Sequence, residues 1–123
     1  MDIRVYYEDT DCGGVVYYAN YLKYFERART EYMELRGIFI PDCLKLGFFF
    51  VVAHQDIDYK SPAFYADILN VETRVSKVSS ASFRQEYFFT CSSPFFIRPI
   101  LNSEFFIINS IFPAISLGFF GSK

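Results

Sequence analysis

Three acidic residues, Glu8, Asp9 and Asp11, fall within four positions, and Gly13 and Gly14 follow at once. Such a cluster could hold a metal ion, accept a phosphoryl group or attack a carbonyl. A calcium loop starting at Asp9 would put Asn20 in twelfth place, where a bidentate Glu is needed, and its midpoint glycine falls wrongly. The D-x-D-x-G pattern of Asp9 to Gly13 also occurs in phosphotransferases with an aspartyl nucleophile. Those need a doubly wound parallel sheet, and this chain shows no repeated βα units. No metal site is therefore expected. The one histidine, His54, sits inside a predicted strand, so Ser–His and Cys–His pairs have little support. Cys12, Cys43 and Cys91 form neither a CxxC pair nor a disulfide framework, and read as reduced thiols.

A carboxylate facing a helix N-terminus remains. The first helical turn has free N–H groups and about half a positive charge. Such a donor can hold a carbonyl oxygen and stabilise the oxyanion that forms on attack, typically by about 2.7–4 kcal/mol. Gly13 and Gly14 let the chain turn tightly and leave bare backbone for a ligand. An aspartate carboxylate is ionised at neutral pH and can attack a carbonyl or activate a water. This kit suits a leaving group that needs little acid help, such as a thiol with a pKa of roughly 8.5. The chemistry points to a thioester. The same turn could also do no more than cap the helix.

The elements that must position these groups are legible in outline. Ile3 to Tyr7 reads as a first strand. From Asn20 to Arg36 the apolar residues Tyr21, Phe25, Ala28, Tyr32 and Leu35 recur at helical spacing, with Asn20 as the expected cap and Gly37 as the stop. Leu46 to Tyr59 predicts a long strand, broken by Ser61 and Pro62. Ile68 to Val78 and Ser82 to Phe89 alternate with period two, one face carrying Leu69, Val71, Thr73 and Val75, then Phe83, Gln85, Tyr87 and Phe89. The expected class is α+β, one helix packed on an antiparallel sheet whose later strands run as a meander.

The chain has 123 residues, 52% hydrophobic and 21% aromatic, which predicts one domain over 1–123 with a real core. Net charge is −2 and no basic run is present, so no nucleic-acid partner is expected. The opening residues show no basic, apolar leader, and the expected location is cytoplasmic. From residue 90 the texture changes. That tail holds only three charged residues, Arg98, Glu104 and Lys123, and three of the five prolines. Polar residues interrupt it, which argues against a membrane-spanning helix, while peripheral membrane association stays open. Glu104 to Asn109 could form a last strand.

The run RVYYEDTDCGGVVYYANYLKYFERARTE resembles the signature of the hotdog-fold acyl-CoA thioesterases of the YbgC and hydroxybenzoyl-CoA thioesterase group. The likeness covers about residues 2–89 and leaves 90–123 as an atypical tail. It implies a curved antiparallel sheet wrapped around one long helix. It also implies hydrolysis of an acyl-CoA substrate without metal or other cofactor, in a homodimer or homotetramer with sites between subunits. Residue by residue, the catalytic Asp matches Asp11, and the backbone N–H that polarises the thioester carbonyl matches Tyr18. Gly14, Val15 and Asn20 match substrate-binding or site-shaping positions. Many relatives carry His where Tyr18 stands, and a backbone donor tolerates either.

Two departures stand out. The family places basic residues before the fourth strand to meet the CoA phosphates; here Ser79, Ser80 and Ala81 occupy the turn, leaving Lys77 and Arg84 as candidate contacts. The tail also lacks the family's alternating last strand and resembles an out-of-frame translation of T-rich DNA. A sheet without that strand would keep an unpaired edge. Beside the thioesterase reading, two alternatives stay open. One is a non-catalytic acyl-carrier or envelope partner, suggested by the association of YbgC genes with the Tol–Pal system. The other is an inactive, truncated relative.

Overall fold

The computed structural model describes residues 1–91 and the backbone of 100–109. Five strands and two helices follow one another: β1 (Asp2–Arg4), α1 (Asn20–Glu34), α2 (Ile40–Lys45), β2 (Phe48–Ile57), β3 (Ile68–Val78), β4 (Ser82–Cys91) and β5 (Ile100–Asn109). All pairings are antiparallel, in the order β1-β3-β4-β5-β2.

The alternation in β3 and β4 sets one sheet face. Leu69 and Val71 on β3, and Phe83, Gln85, Tyr87 and Phe89 on β4, are buried as their period-two spacing predicts. Helix α1 lays Tyr21, Tyr24, Phe25 and Ala28 on the same core. Phe25 meets Tyr87 and Phe89 with ring centroids 5.0 Å away in each case. Fully burying one such ring contributes about 1.5–3 kcal/mol, so this aromatic seam holds the helix to the sheet.

Four expectations are corrected. First, β2 does not neighbour β3; it lies at the far edge against β5, and the meander is β3-β4-β5. Second, a short helix, α2, precedes β2. Pro41 starts it and Gly47, at φ 84°, ends it, so the strand starts at Phe48. Third, the buried stripe of α1 includes Tyr24 and Met33, while Leu35 is 84% exposed. The helix's last turns overhang the β1–β3 edge, and Tyr32 and Leu35 line an open groove of about 390 Å³ there. Fourth, the fifth strand exists and is central. Residues 100–109 pair with β4 on one side and β2 on the other, so no edge is opened between them. The apolar segments 92–99 and 110–123, to which the membrane-association and out-of-frame readings refer, lie outside the described residues. Among the described residues, no helix is long and apolar enough to cross a membrane.

Candidate active site

The acidic stretch divides its labour. Tyr7–Asp9 forms a single 3-10 turn after β1. The Asp9 carboxylate turns inward and accepts the Tyr6 N–H at 2.8 Å. The Asp9 carbonyl accepts two more bonds, from the Tyr17 N–H at 2.9 Å and the Asn20 side-chain amide at 2.8 Å. Both donors belong to the approach to α1, so Asp9 ties the acidic turn to the helix start. Asp9 also faces Tyr24. Burial first, and then the Asp9 charge, push the Tyr24 hydroxyl well above its ordinary pKa.

Asp11 points the other way. Its N–H donates to the Val15 carbonyl at 2.9 Å and its carbonyl accepts from Gly14 at 3.0 Å, closing a tight turn. The Gly13 N–H donates to Oδ1 of Asp11 at 2.8 Å, orienting the exposed carboxylate. A Cβ on residue 13 would fall 3.1 Å from that oxygen, tighter than ordinary contact. Gly14 has φ 81°, the left-handed region that favours glycine. The returning strand is fastened to the loop after β2, where the Val16 N–H donates to the Ala63 carbonyl at 2.8 Å.

The helix start is left uncapped by side chains. Ala19 occupies the N-cap and offers no side-chain oxygen. Asn20, expected as the cap, is instead the first helical residue, and its amide reaches back to Asp9. The Asn20 N–H donates to the Tyr17 carbonyl at 2.8 Å, holding the peptide that carries the Tyr18 N–H. Among the described residues the Tyr18 N–H donates to no protein atom. Tyr18 and Asp11 line one cavity of about 290 Å³. Asp11, Val15, Tyr18, Tyr21, Tyr59 and Lys60 are among its walls. Burial raises the Tyr21 hydroxyl to about 12, so at neutral pH it is a neutral wall.

Asp11, Val15 and Tyr18 thus meet at the cavity, and Gly14 and Asn20 shape it from just outside. Lys77 and Arg84 are not among its walls. They face each other across the β3–β4 pair, near the hairpin end remote from β1. Tyr59, Lys60, Ser61 and Pro62 complete the walls. The Ser-Pro break after Tyr59 was the available signal, because it marks where β2 ends and a loop can fold over the turn.

A carboxylate held by its own turn, an open helix-start N–H and an aromatic cavity between them can bind a carbonyl and attack it. The family model described as the thioesterase superfamily matches residues 13–94. The chain belongs to that superfamily. A Haemophilus influenzae protein named acyl-CoA thioesterase YbgC is 51% identical over 81 residues, 65% of this chain and 60% of that one. An acyl-CoA thioesterase YbgC of Helicobacter pylori is 41% identical over 63% of this chain and 56% of that one. The match therefore spans about 60% of the first of these curated relatives. Among solved structures, a probable thioesterase from Bartonella henselae superposes with TM-score 0.79 at 34% identity, over 89% of this chain and 90% of that one. A DHNA-CoA thioesterase from Staphylococcus aureus superposes with TM-score 0.86 at 28% identity, over 96% and 79% respectively. The expected hotdog architecture, an antiparallel sheet around a long helix, is the observed one.

Proposed function

We propose that the chain is an acyl-CoA thioesterase that hydrolyses the thioester to a free acid and a thiol. One observation carries the reading: Asp11, with its exposed carboxylate, and Tyr18, whose N–H has no protein acceptor among the described residues, line the same cavity. The thioester carbonyl oxygen lies on the Tyr18 N–H. Asp11 either adds to the carbonyl carbon or takes the proton of a water that does. In both routes the C–S bond breaks, the electron pair leaves on sulfur, and water supplies the acid's second oxygen. The names of the YbgC relatives support this reading, as does the absence of any demand for a strong general acid when a thiolate leaves.

The same reading assigns the carrier end of the substrate to the cavity mouth. There Lys60 is the cation at hand. Lys77 and Arg84 of the same subunit lie elsewhere, so they reach the carrier only across a subunit contact. A second copy has an evident place to dock. β2 is an edge strand, and Phe49, Val51 and Val52 on it are between 41% and 45% exposed. Edge-to-edge pairing of β2 with another β2 would cover them in a homodimer, and pairs of dimers would give a tetramer. The wide spacing of Cys12, Cys43 and Cys91, without a disulfide framework, supports a reducing, cytoplasmic setting.

The test is thiol release from a panel of short, long and aromatic acyl-CoAs, with wild type and Asp11→Asn side by side. Release that collapses in the variant establishes a carboxylate-dependent thioesterase. Equal release from both removes Asp11 from the mechanism.

A further inference from the structure

The backbone of Tyr18 is pinned on both sides. The peptide before it, which carries the Tyr18 N–H, has its carbonyl on Tyr17, and that carbonyl accepts the Asn20 N–H at 2.8 Å. The peptide after it has its carbonyl on Tyr18, and that carbonyl accepts the Tyr59 hydroxyl at 3.0 Å, across 41 residues of chain. A residue has only two soft backbone dihedrals, and planar peptides flank them. Holding both flanking planes by their carbonyls therefore fixes the backbone at Tyr18 and with it the plane that carries the N–H.

Tyr59 is placed for this task rather than for burial. It stands two residues past the end of β2 and is 49% exposed. Its ring meets Tyr18 edge-on at 6.4 Å and Tyr21 at 5.6 Å, so two rings aim its hydroxyl. It also lines the cavity together with Asp11. We infer that Tyr59 is a positioning residue, whose hydroxyl holds the Tyr18 backbone so that its N–H meets the carbonyl oxygen in the transition state. This inference rests on the thioesterase reading and adds to it a residue from a different part of the chain.

Tyr59→Phe keeps the ring contacts and deletes only the hydroxyl; Tyr59→Leu deletes both. A single neutral hydrogen bond that orients the oxyanion donor corresponds to about a fivefold to tenfold fall in kcat. The expected result for Tyr59→Phe is that fall with KM within about twofold of wild type, since the bond tightens on the transition state rather than on the bound substrate. Amide hydrogen exchange over residues 17–24, which needs no substrate, should quicken several-fold in the same variant. Wild-type kinetics in Tyr59→Phe with a loss only in Tyr59→Leu would make Tyr59 a packing residue and overturn the inference. So would a rise in KM alone, or exchange that does not change. If wild type itself releases no thiol, the thioesterase reading fails and the catalytic half of this inference goes with it. The exchange data still decide whether the hydroxyl holds the turn.

Discussion

Among the described residues each end of α1 borders a hollow, and the proposed site is the one at the N-terminal end. The groove at the C-terminal end is the larger, about 390 Å³ against about 290 Å³ at the N-terminal end. At the C-terminal end the helix consumes its own polar groups. Arg36 and Ile38 donate backbone N–H groups to the Met33 carbonyl, Gly37 to Glu34, and the Arg36 guanidinium to Tyr32. At the N-terminal end no side chain caps the helix, and the Asn20 amide, on the first helical residue, is spent on Asp9. The open donor lies just ahead of the helix: the Tyr18 N–H precedes the N-cap, Ala19, and no intrahelical bond or cap consumes it. What distinguishes a site from a gap is therefore an unspent backbone donor on a fixed frame, not volume.

The comparison is broken most sharply by charge. Asp11→Asn should lower thiol release by about 10²–10⁴-fold, the usual range for a group that moves a proton in the transition state. Glu31→Gln, which alters a carboxylate lining the other hollow, should leave release unchanged. A comparable loss from Glu31→Gln would show that both hollows belong to the reaction.

Alkaline pH probes the frame. Burial raises Tyr21, beside the site, and Tyr87, under the middle of α1, each to about 12. In the unfolded chain a tyrosine ionises near pH 10. Between about pH 10 and 12 the unfolded state therefore binds fewer protons than the folded one, and stability falls as pH rises. The slope is about 1.4 kcal/mol per unit for each such residue. Urea titrations at stepped pH should show that fall, and Tyr21→Phe should make it shallower.

Asn20→Ala tests the strut. Losing one hydrogen bond to the Asp9 carbonyl should cost about 0.5–1.5 kcal/mol. The loosened link between the acidic turn and the helix should also lower kcat several-fold. A stability loss without a kinetic one would separate the strut from the chemistry. Gly14→Ala isolates conformation from crowding, because a Cβ there meets nothing within 4 Å. The cost should be the left-handed backbone alone, about 1–2 kcal/mol by chemical denaturation.

How far these features could be read from the residues follows from the range of the forces involved. Asp11, Gly14 and the helix start lie within ten positions of one another, so local spacing was enough to place them. The faces of β3 and β4 were legible because each strand has one dry side. Asn20 was misassigned as a cap because its partner, the Asp9 carbonyl, is a backbone atom that leaves no mark in the sequence. Tyr59 came from 41 residues away, a tertiary contact that periodicity cannot show. β5 was legible only in its second half, Glu104 to Asn109, for another reason. Bonded on both edges, it needs only an extended backbone in register, and ILNSEFFIIN shows little alternation to betray it.

Leu35 offers the smallest expected effect and the finest discrimination. Its spacing puts it on the apolar stripe of α1, yet it is 84% exposed over the open groove. Hydrophobic stabilisation scales with area removed from water, at roughly 25 cal/mol per Å². A side chain that buries so little should lose no more than about 0.5 kcal/mol on truncation, as surface positions do. A buried leucine loses about 2–5 kcal/mol. Thermal or urea unfolding of Leu35→Ala reads the difference directly. A loss of core size would mean that something covers the groove in solution. The C-terminal hollow would then be a filled interface, and the contrast between the two helix ends would have to be redrawn around its occupant.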